Sequence, residues 1–344
     1  MNKRTASILL GIALCILVIC ALATRCSSPS NFDDETSSPT ASSENDIIAD
    51  ADVVEIVDSY NSVAQEYNLA VIAYNDSVQQ LTEANAVLEE AISAAQAQLD
   101  VVQIPFDSKT QDNLENVISS AKAAIQPIPE LLSEVEIVSV PENANSDELQ
   151  VFCNNISAKY EELTSFTWPT PIEVPDYTTH TTDMDAAVQA YLVSVRIMQQ
   201  VTAPEDSFVI ERLKGIDTIL SLAAVTSNND PNKLLGKEGG YIGCIYFSDS
   251  RVDKTQLKLD PDEYDVISMG AVGGGAVEIY RTPEDAIARN EYLAQYDGTS
   301  MDPGSHTVIG TIVIRTSSKL SEENQAALET EIIEVLTWLD PTID

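Results

Sequence analysis

The sequence predicts an α+β protein with an N-terminal membrane segment, and three observations lead to this fold class. An apolar run follows two basic residues at the start of the chain. A long segment without Pro or Gly then repeats its apolar residues at helical spacing. The C-terminal part changes to short runs rich in β-branched and aromatic residues, which are typical of strands.

Length, composition and charge limit the possible domain organisation of the chain and its possible partners. It has 344 residues, 44% of them hydrophobic, and a mean hydropathy of -0.04. These values allow two domains with folded cores. The chain carries 55 acidic and 18 basic residues, which gives a formal net charge of -37. Because phosphate groups would be repelled, we expect no nucleic-acid partner, whereas cationic partners are less hindered.

The apolar run covers residues 6–24 and follows Lys3 and Arg4. Its length is close to what a helix needs to cross a bilayer, so we expect it to contact the membrane. The basic flank predicts an N-terminus inside the cell and an extracytoplasmic location for the rest. We therefore interpret residues 1–26 as a signal peptide or a transmembrane anchor.

Three fates of this leader stay open. If it is not cleaved, it anchors the protein in the cytoplasmic membrane. The Ala21-Leu22-Ala23 motif is similar to a signal-peptidase site, so cleavage after Ala23 would give a secreted protein. Cys26 resembles the lipid-accepting cysteine of bacterial lipoproteins, although Arg25 stands where those proteins carry a small residue. All three fates place the bulk of the chain outside the cytoplasm.

A tether and a long helix follow the leader. Residues 27–49 are rich in Ser, Thr, Asp and Glu, which predicts a disordered acidic tether. From about Asp50 to Asp100 the apolar spacings alternate between three and four, which predicts a helix of roughly 75 Å with one buried seam. The predicted seam consists of Val57, Tyr60, Ala64, Tyr67, Val71, Tyr74, Val78, Leu81, Asn85, Leu88, Ile92, Ala95 and Leu99.

Shorter predicted helices supply partners for this seam. We expect residues 50–226 to form an all-α bundle or hairpin stalk, with a homo-oligomeric coiled coil as the alternative. The long helix has no Lys or Arg for interhelical ion pairs, which favours the bundle. Asn85 would fix the register of a coiled coil, or mark a kink or an exposed stretch. The shorter helices are predicted at about 108–125, 146–165, 183–201 and 205–225.

Residues 227–344 are predicted to form a small C-terminal α/β sandwich. Thr282 and Pro283 form a helix start, with an N-cap and a proline at the first helical position. The element order β-β-α-β-α, with a further short strand near Val266, predicts an open sheet covered by two helices. The strands are predicted at 241–247, 276–281 and 307–315, and the helices at 283–295 and 321–339.

We find no catalytic motif, and we expect no enzyme activity and no cofactor. The glycines of Gly270–Gly275 precede a strand, whereas a phosphate-binding loop must follow a strand and open a helix. Ser305 and His306 are neighbours in a predicted strand, so their side chains point to opposite faces. The chain has two histidines, which excludes a metalloprotease HExxH motif.

The sequence also offers few candidates for metal binding or for cysteine chemistry. Asp260, Asp262 and Asp265 are weak calcium candidates because carboxylates crowd there, but the loop lacks the glycine and terminal Glu of an EF-hand. A solvated acidic loop is the alternative. Cys153 and Cys244 fall on predicted buried positions, so we interpret them as packing residues, with a bridge between them as the alternative.

The block from Gly239 to about Leu328, about a quarter of the chain, resembles a C-terminal module of surface or secreted proteins of host-associated Gram-positive bacteria. The module has no established activity, and such proteins are sometimes labelled matrix-binding homologues. The resemblance implies an extracellular location and a domain boundary. The residues that carry it are Gly239–Tyr241, Asp249–Asp253, Gly273–Tyr280, Asp285, Ala286, Arg289, Tyr292, Leu293, Gly304–His306, Val308, Gly310, Arg315–Ser317 and Leu320.

These observations favour a non-enzymatic extracytoplasmic surface protein that displays an α+β head on a helical stalk. It would bind an envelope or host protein, or a glycan, or act structurally. A predicted binding surface contains Glu278, Arg289, His306 and Arg315. One alternative is an envelope-associated hydrolase with a carboxylate and arginine site in the C-terminal domain. Another is an envelope sensor or assembly factor.

Overall fold

The computed structural model describes residues 50–257 and 265–340. Within those residues it contains eight α-helices and one five-stranded antiparallel sheet, which confirms a mixed α+β chain. The apolar run at 6–24, Cys26, Asp260 and Asp262 lie outside the described residues. In the described part of the chain, no helix combines the length and the apolar character that a bilayer crossing requires.

The helices and strands follow the chain in this order. The helices before the sheet are α1 (Asp50–Asp100), α2 (Ser108–Ala124), α3 (Ser146–Ser165), α4 (Thr178–Gln200) and α5 (Asp206–Leu213). The sheet contains β1 (Ile219–Ala224), β2 (Gly243–Asp249), β3 (Gly274–Ile279), β4 (His306–Ile309) and β5 (Ile312–Thr316), in the spatial order β1-β2-β3-β5-β4. The remaining helices are α6 (Val266–Met269), α7 (Pro283–Ala294) and α8 (Glu322–Thr337).

The chain divides into two compact units. Of the described residues, one unit contains 50–60 with 138–161, and the other contains 61–137 with 162–257 and 265–340. In the described part of the first unit, Val53 and Val57 of α1 are buried, as is Cys153 of α3. Cys153 and Cys244 are both free thiols, so no bridge joins them.

The seam of α1 is buried as its spacing predicts. In the second unit its C-terminal half packs against α2 and α4, which therefore supply its intrachain partners. Apolar residues at every third or fourth position of a helix share one face, and here that face enters one core. The core includes Leu88, Ile92 and Ala95 of α1, Leu114, Ile118 and Ala121 of α2, and Met184, Ala187, Tyr191 and Val195 of α4.

Asn85 has none of the roles predicted for it. It is buried, its Nδ2 donates to the Gln126 carbonyl at 2.8 Å, and its Oδ1 accepts from the Tyr177 hydroxyl at 2.9 Å. A buried amide needs such partners, because an unsatisfied polar group costs about 1–3 kcal/mol. Asn85 thus anchors the chain where it leaves α2.

An extended segment, residues 125–137, follows α2 and lies along α1; we call it the strap. Asn68 Nδ2 donates to the Val135 carbonyl at 2.8 Å, and the Val135 amide donates to Asn68 Oδ1 at 2.8 Å. Asn75 exchanges the same pair of bonds with Leu132, each at 2.9 Å. A side-chain amide offers one donor and one acceptor side, as a peptide group does, so it can take the place of a neighbouring strand.

The spacing of these asparagines matches the rise of the strap. Seven helical residues rise about 10.5 Å, and three extended residues span about 10 Å. The next step along the strap falls on Pro129, which has no amide proton to donate. The matching helix position is Thr82, whose hydroxyl bonds to the Val78 carbonyl at 2.9 Å within α1. The asparagine pairing therefore stops at the proline.

The helix predicted at 205–225 is confirmed only as far as Leu213. The chain ends α5 at Leu213 and then forms β1, which pairs antiparallel with β2. The run from Ile219 to Ala224 has the Leu and Ala composition of a helix, but tertiary pairing overrides that preference. The sheet thus begins before residue 227, where the sequence placed the start of the second domain.

Two further elements of the sheet region differ from the prediction. The single strand predicted at 307–315 is a hairpin of β4 and β5 that turns at Gly310, whose φ is +56°. A Cβ atom at Gly310 would lie 2.5 Å from the Val201 carbonyl oxygen, so this turn needs glycine. The short strand predicted near Val266 is the one-turn helix α6, because the Asp265 side chain accepts from the backbone amides of Ile267 and Ser268.

Helices cover both faces of the sheet. The predicted helix starts are confirmed: the side chain of Thr282 caps α7, and that of Ser321 caps α8. Residues alternate between the two faces along each strand. One face packs Ile245, Phe247, Val277, Ile279, Ile312 and Ile314 against Val209 and Leu213 of α5 and Leu328, Ile332 and Leu336 of α8. The other packs Cys244, Tyr246, Ala276, Tyr280 and Val313 against Ala286 and Leu293 of α7.

The strap yields the first prediction. Asn75→Leu removes both hydrogen bonds to Leu132 at nearly constant side-chain volume, and each bond contributes about 1 kcal/mol. We expect hydrogen exchange of the Leu132 amide, which donates to Asn75 Oδ1, to accelerate on the order of tenfold or more. The matched control is Asn116→Leu on the exposed surface of α2, which should leave exchange in the strap unchanged. Equal exchange in the two variants would contradict this role of Asn75.

Candidate functional site

The structure brings the four residues predicted to form a binding surface to one face of the sheet: three of them contact one another, and His306 pairs with Arg315 in the sheet register. Glu278 lies on β3, Arg315 on β5 and Arg289 on α7, which crosses that face of the sheet. Cys244 and Val313 flank Glu278 in the sheet register. This position directs the Glu278 side chain under α7, towards both arginines.

Four donors fill the acceptor positions of the Glu278 carboxylate. Arg289 donates from Nε to Oε2 at 2.8 Å and from Nη2 to Oε1 at 3.0 Å. Arg315 donates from Nη1 to Oε1 at 2.9 Å, and the Tyr280 hydroxyl donates to Oε2 at 2.8 Å. Because an ionised carboxylate has about four lone-pair sites, none is left for a substrate proton or a metal ion.

Burial and the neighbouring charges determine the pKa values of the side chains in this cluster. Burial by itself raises the pKa of Glu278, but the hydrogen bond from Arg289 and the charge of Arg315 hold that pKa below its ordinary value. Burial and the Glu278 charge raise the pKa of Tyr280. Burial, followed by the charge of Glu278, also raises the pKa of the Cys244 thiol well above its ordinary value. Cys244 is therefore a protonated packing residue.

The cluster is not an exposed binding surface, which corrects the sequence prediction. Glu278 is fully buried, and the side chains of Arg289 and Arg315 are only 13% and 12% exposed. A buried carboxylate between two arginines connects β3, β5 and α7, and it retains one net positive charge. Sequence alone does not predict this burial. Charged residues are usually exposed, and they are buried only where the fold brings a partner close.

His306 contacts α7 and the turn that follows it. Its Nδ1 lies 2.7 Å from Asn290 Oδ1, and its Nε2 lies 3.0 Å from Asp297 Oδ1. The hydroxyl of Ser305 bonds to Glu329 on α8. The two neighbouring side chains thus engage opposite sides of the sheet, as predicted, and form no catalytic pair.

An aromatic pair, missed by the sequence reasoning, lies at the C-terminal end of α7: Tyr292 is in the helix, whereas Tyr296 follows it and is half-buried. Tyr292 and Tyr296 meet edge to face with ring centroids 5.3 Å apart, and Tyr292 is 48% exposed. The Arg289 guanidinium, held by Glu278, lies 5.6 Å from the Tyr292 ring centroid. The available signal was position: α7 buries Ala286 and Leu293, and Tyr292 lies outside that stripe and therefore faces solvent.

The weak metal and phosphate candidates find no support in the described residues. Within 50–257 and 265–340, no group of three or more His, Cys, Asp or Glu residues could hold a metal ion. Asp265 caps α6. Gly274 and Gly275 allow close strand packing, since a Cβ atom at Gly275 would lie 2.2 Å from the Phe247 ring. The glycine run is thus structural.

A concave region lies beside α4. It is an open cleft of about 300 Å³ lined by Gln103, Gln189, Gln199, Arg196 and three apolar side chains. The lining contains no nucleophile and no carboxylate. The cleft therefore lacks the acid, base and nucleophile that a hydrolase needs.

The buried cluster predicts a large stability effect. Glu278→Gln leaves two buried arginines without their counter-charge, which costs about 3–5 kcal/mol. Urea unfolding should show a loss of unfolding free energy of that size, seen as a lower midpoint at an unchanged m-value. Glu291→Gln, at an exposed position on α7, is the matched control and should change stability by less than about 0.5 kcal/mol. A similar small shift in both variants would contradict the role of Glu278.

The lowered pKa of Glu278 predicts a pH dependence. A carboxyl whose pKa is lower in the folded state stabilises the fold above its unfolded pKa, and that contribution is lost as the pH falls through the folded pKa. The stability difference between the wild type and Glu278→Gln should be constant above about pH 4.5 and should shrink below it. Unfolding measured across that range tests this, and a constant difference down to acid unfolding would contradict it.

Comparisons with known proteins add no relative to these findings. No protein-family model matches the chain, and searches of the curated proteins and of the solved structures returned no match.

Proposed function

We propose that this chain is a non-enzymatic extracytoplasmic binding protein that displays its α+β part at the cell envelope. The N-terminal apolar run would carry it across the membrane, as an anchor or a cleaved signal. The helices of residues 50–226 would serve as the stalk or bundle that spaces the binding part from the membrane. The partner would be an envelope or host protein, or a glycan.

The observation that carries this proposal is the solvent-facing Tyr292, which packs on Tyr296 and on a fixed support. Tyr is enriched among the residues that dominate binding energies, because it presents a large area with few rotatable bonds. The Arg289 guanidinium has two partners: it pairs with Glu278, and it lies over the Tyr292 ring. A surface that is ordered before binding loses less side-chain entropy on association.

Two further observations support a binding role over catalysis. The carboxylate of the cluster, Glu278, is buried and fully hydrogen-bonded. A catalytic acid or base must reach the proton that it transfers. Nearby His306 is committed to Asn290 and Asp297.

The proposal predicts saturable binding that depends on the tyrosines. The full chain would be tested on immobilised extracellular-matrix proteins and on purified cell-wall sacculi. Tyr292→Ala with Tyr296→Ala should weaken binding at least tenfold, because each aromatic anchor contributes about 1–2 kcal/mol. Glu291→Ala, at an exposed position of α7 next to Tyr292, should bind like the wild type.

Two outcomes would contradict the proposal. One is equal binding by the wild type and the tyrosine variant, or no binding to either class of surface. The other concerns location: a periplasmic or extracellular reporter fused to the C-terminus should be active outside the cell. Recovery of the native protein only in the cytosol would refute export.

A further inference from the structure

The strap presents an apolar row whose spacing is set by its attachment to α1. Val135 and Leu132, three residues apart, bond to the asparagines of α1. A repeat of three is that of an extended polyproline-type chain, in which every third residue shares one side. The side formed by Ile128, Leu131, Glu134 and Ile137 is exposed; three of its four members are apolar, and Leu131 is 65% exposed.

The strap is held through its backbone, which leaves its side chains available. The bonds from Asn68, Asn75 and Asn85 end on main-chain atoms of the strap. The Tyr74 hydroxyl also donates to the Glu130 carbonyl, at 3.4 Å. An extended chain fixed in this way has already lost the conformational entropy that a free peptide loses on binding.

The charges beside this row have one sign. Glu130 and Glu134 are exposed on the strap. No Lys or Arg occurs in α1 or between Lys122 and Lys159, so no base of these segments balances them. We propose that the strap is a docking surface for a cationic amphipathic polypeptide, whose apolar side chains pack on Ile128, Leu131 and Ile137 and whose Lys or Arg side chains pair with the glutamates.

Charge also decides against the other occupants. A second copy of a chain with a net charge of -37 would bring like charges together across the apolar row. An anionic membrane surface would be repelled for the same reason. The proposed surface is separate from the Tyr292–Tyr296 pair, so this inference stands or falls independently of the proposed function.

The test is fluorescence anisotropy with the full chain and a labelled peptide of Lys and Leu in amphipathic order. A peptide of the same composition in scrambled order measures non-specific attraction to the acidic chain. We expect saturable binding of the ordered peptide, at least about tenfold weaker in Leu131→Ser with Ile137→Ser. Leu220→Ser, at a leucine that is 61% exposed on β1, is the matched control and should bind like the wild type.

A second variant tests the charge component. Glu130→Gln with Glu134→Gln should weaken binding about threefold at low ionic strength, and this difference should nearly vanish at about 0.5 M salt, where exposed charges are screened. Circular dichroism should show the same fold in all variants, because the replaced side chains are exposed. The proposal is overturned if both peptides bind equally, or if Leu131→Ser with Ile137→Ser binds the ordered peptide as tightly as the Leu220→Ser control.

Discussion

The carboxylate of Glu278 is the constraint on which the arrangement of the sheet face under α7 depends. An ionised group can remain buried there because two arginines and a tyrosine supply four hydrogen bonds. Each isolated charge would cost several kcal/mol to bury, so none of these residues can be removed alone without exposing or neutralising the others. The cluster thus specifies how β3, β5 and α7 come together.

This constraint extends to the surface. Arg289 uses Nε and Nη2 for Glu278 and presents its guanidinium plane to the Tyr292 ring. The buried carboxylate thereby sets the position of the aromatic pair. Interaction surfaces need this kind of support, because a side chain that is already fixed loses less entropy when a partner binds. The buried charges and the aromatic residues therefore form one unit. The charges stabilise the fold, and the aromatic residues are available for recognition.

The strap shows the same principle with neutral groups. Asparagines seven residues apart on α1 replace a neighbouring strand for an extended segment, so a chain without regular secondary structure still satisfies its backbone. The consequence is again a surface with fixed side chains. In both places, polar side chains hold a short element from one side and leave its other side free for contacts.

The sequence predicted what depends on local pattern. The seam of α1 and the starts of α7 and α8 follow from spacing and capping residues, and the structure has them. The misread segments depend on distant partners: β1 becomes a strand because β2 lies beside it, and Asn68 bonds to a residue 67 positions away.

In the candidate site, too, some features follow from local sequence pattern and others depend on distant partners. The pattern grouped Glu278, Arg289 and Arg315 correctly, but their burial depends on where α7 crosses the sheet. The solvent-facing position of Tyr292 could have been read from the buried stripe of α7, whereas its contact with Arg289 could not.

The most direct test of this account is the hydrogen exchange of the Arg289 Nε proton, observed by NMR in the full chain. A guanidinium proton bonded to a buried carboxylate exchanges only when the structure opens. The account predicts a resolved Arg289 Nε signal that is protected about as strongly as the amides of β3. Exchange at the rate of a solvent-exposed arginine such as Arg281 would show that the carboxylate does not hold Arg289, and would contradict it.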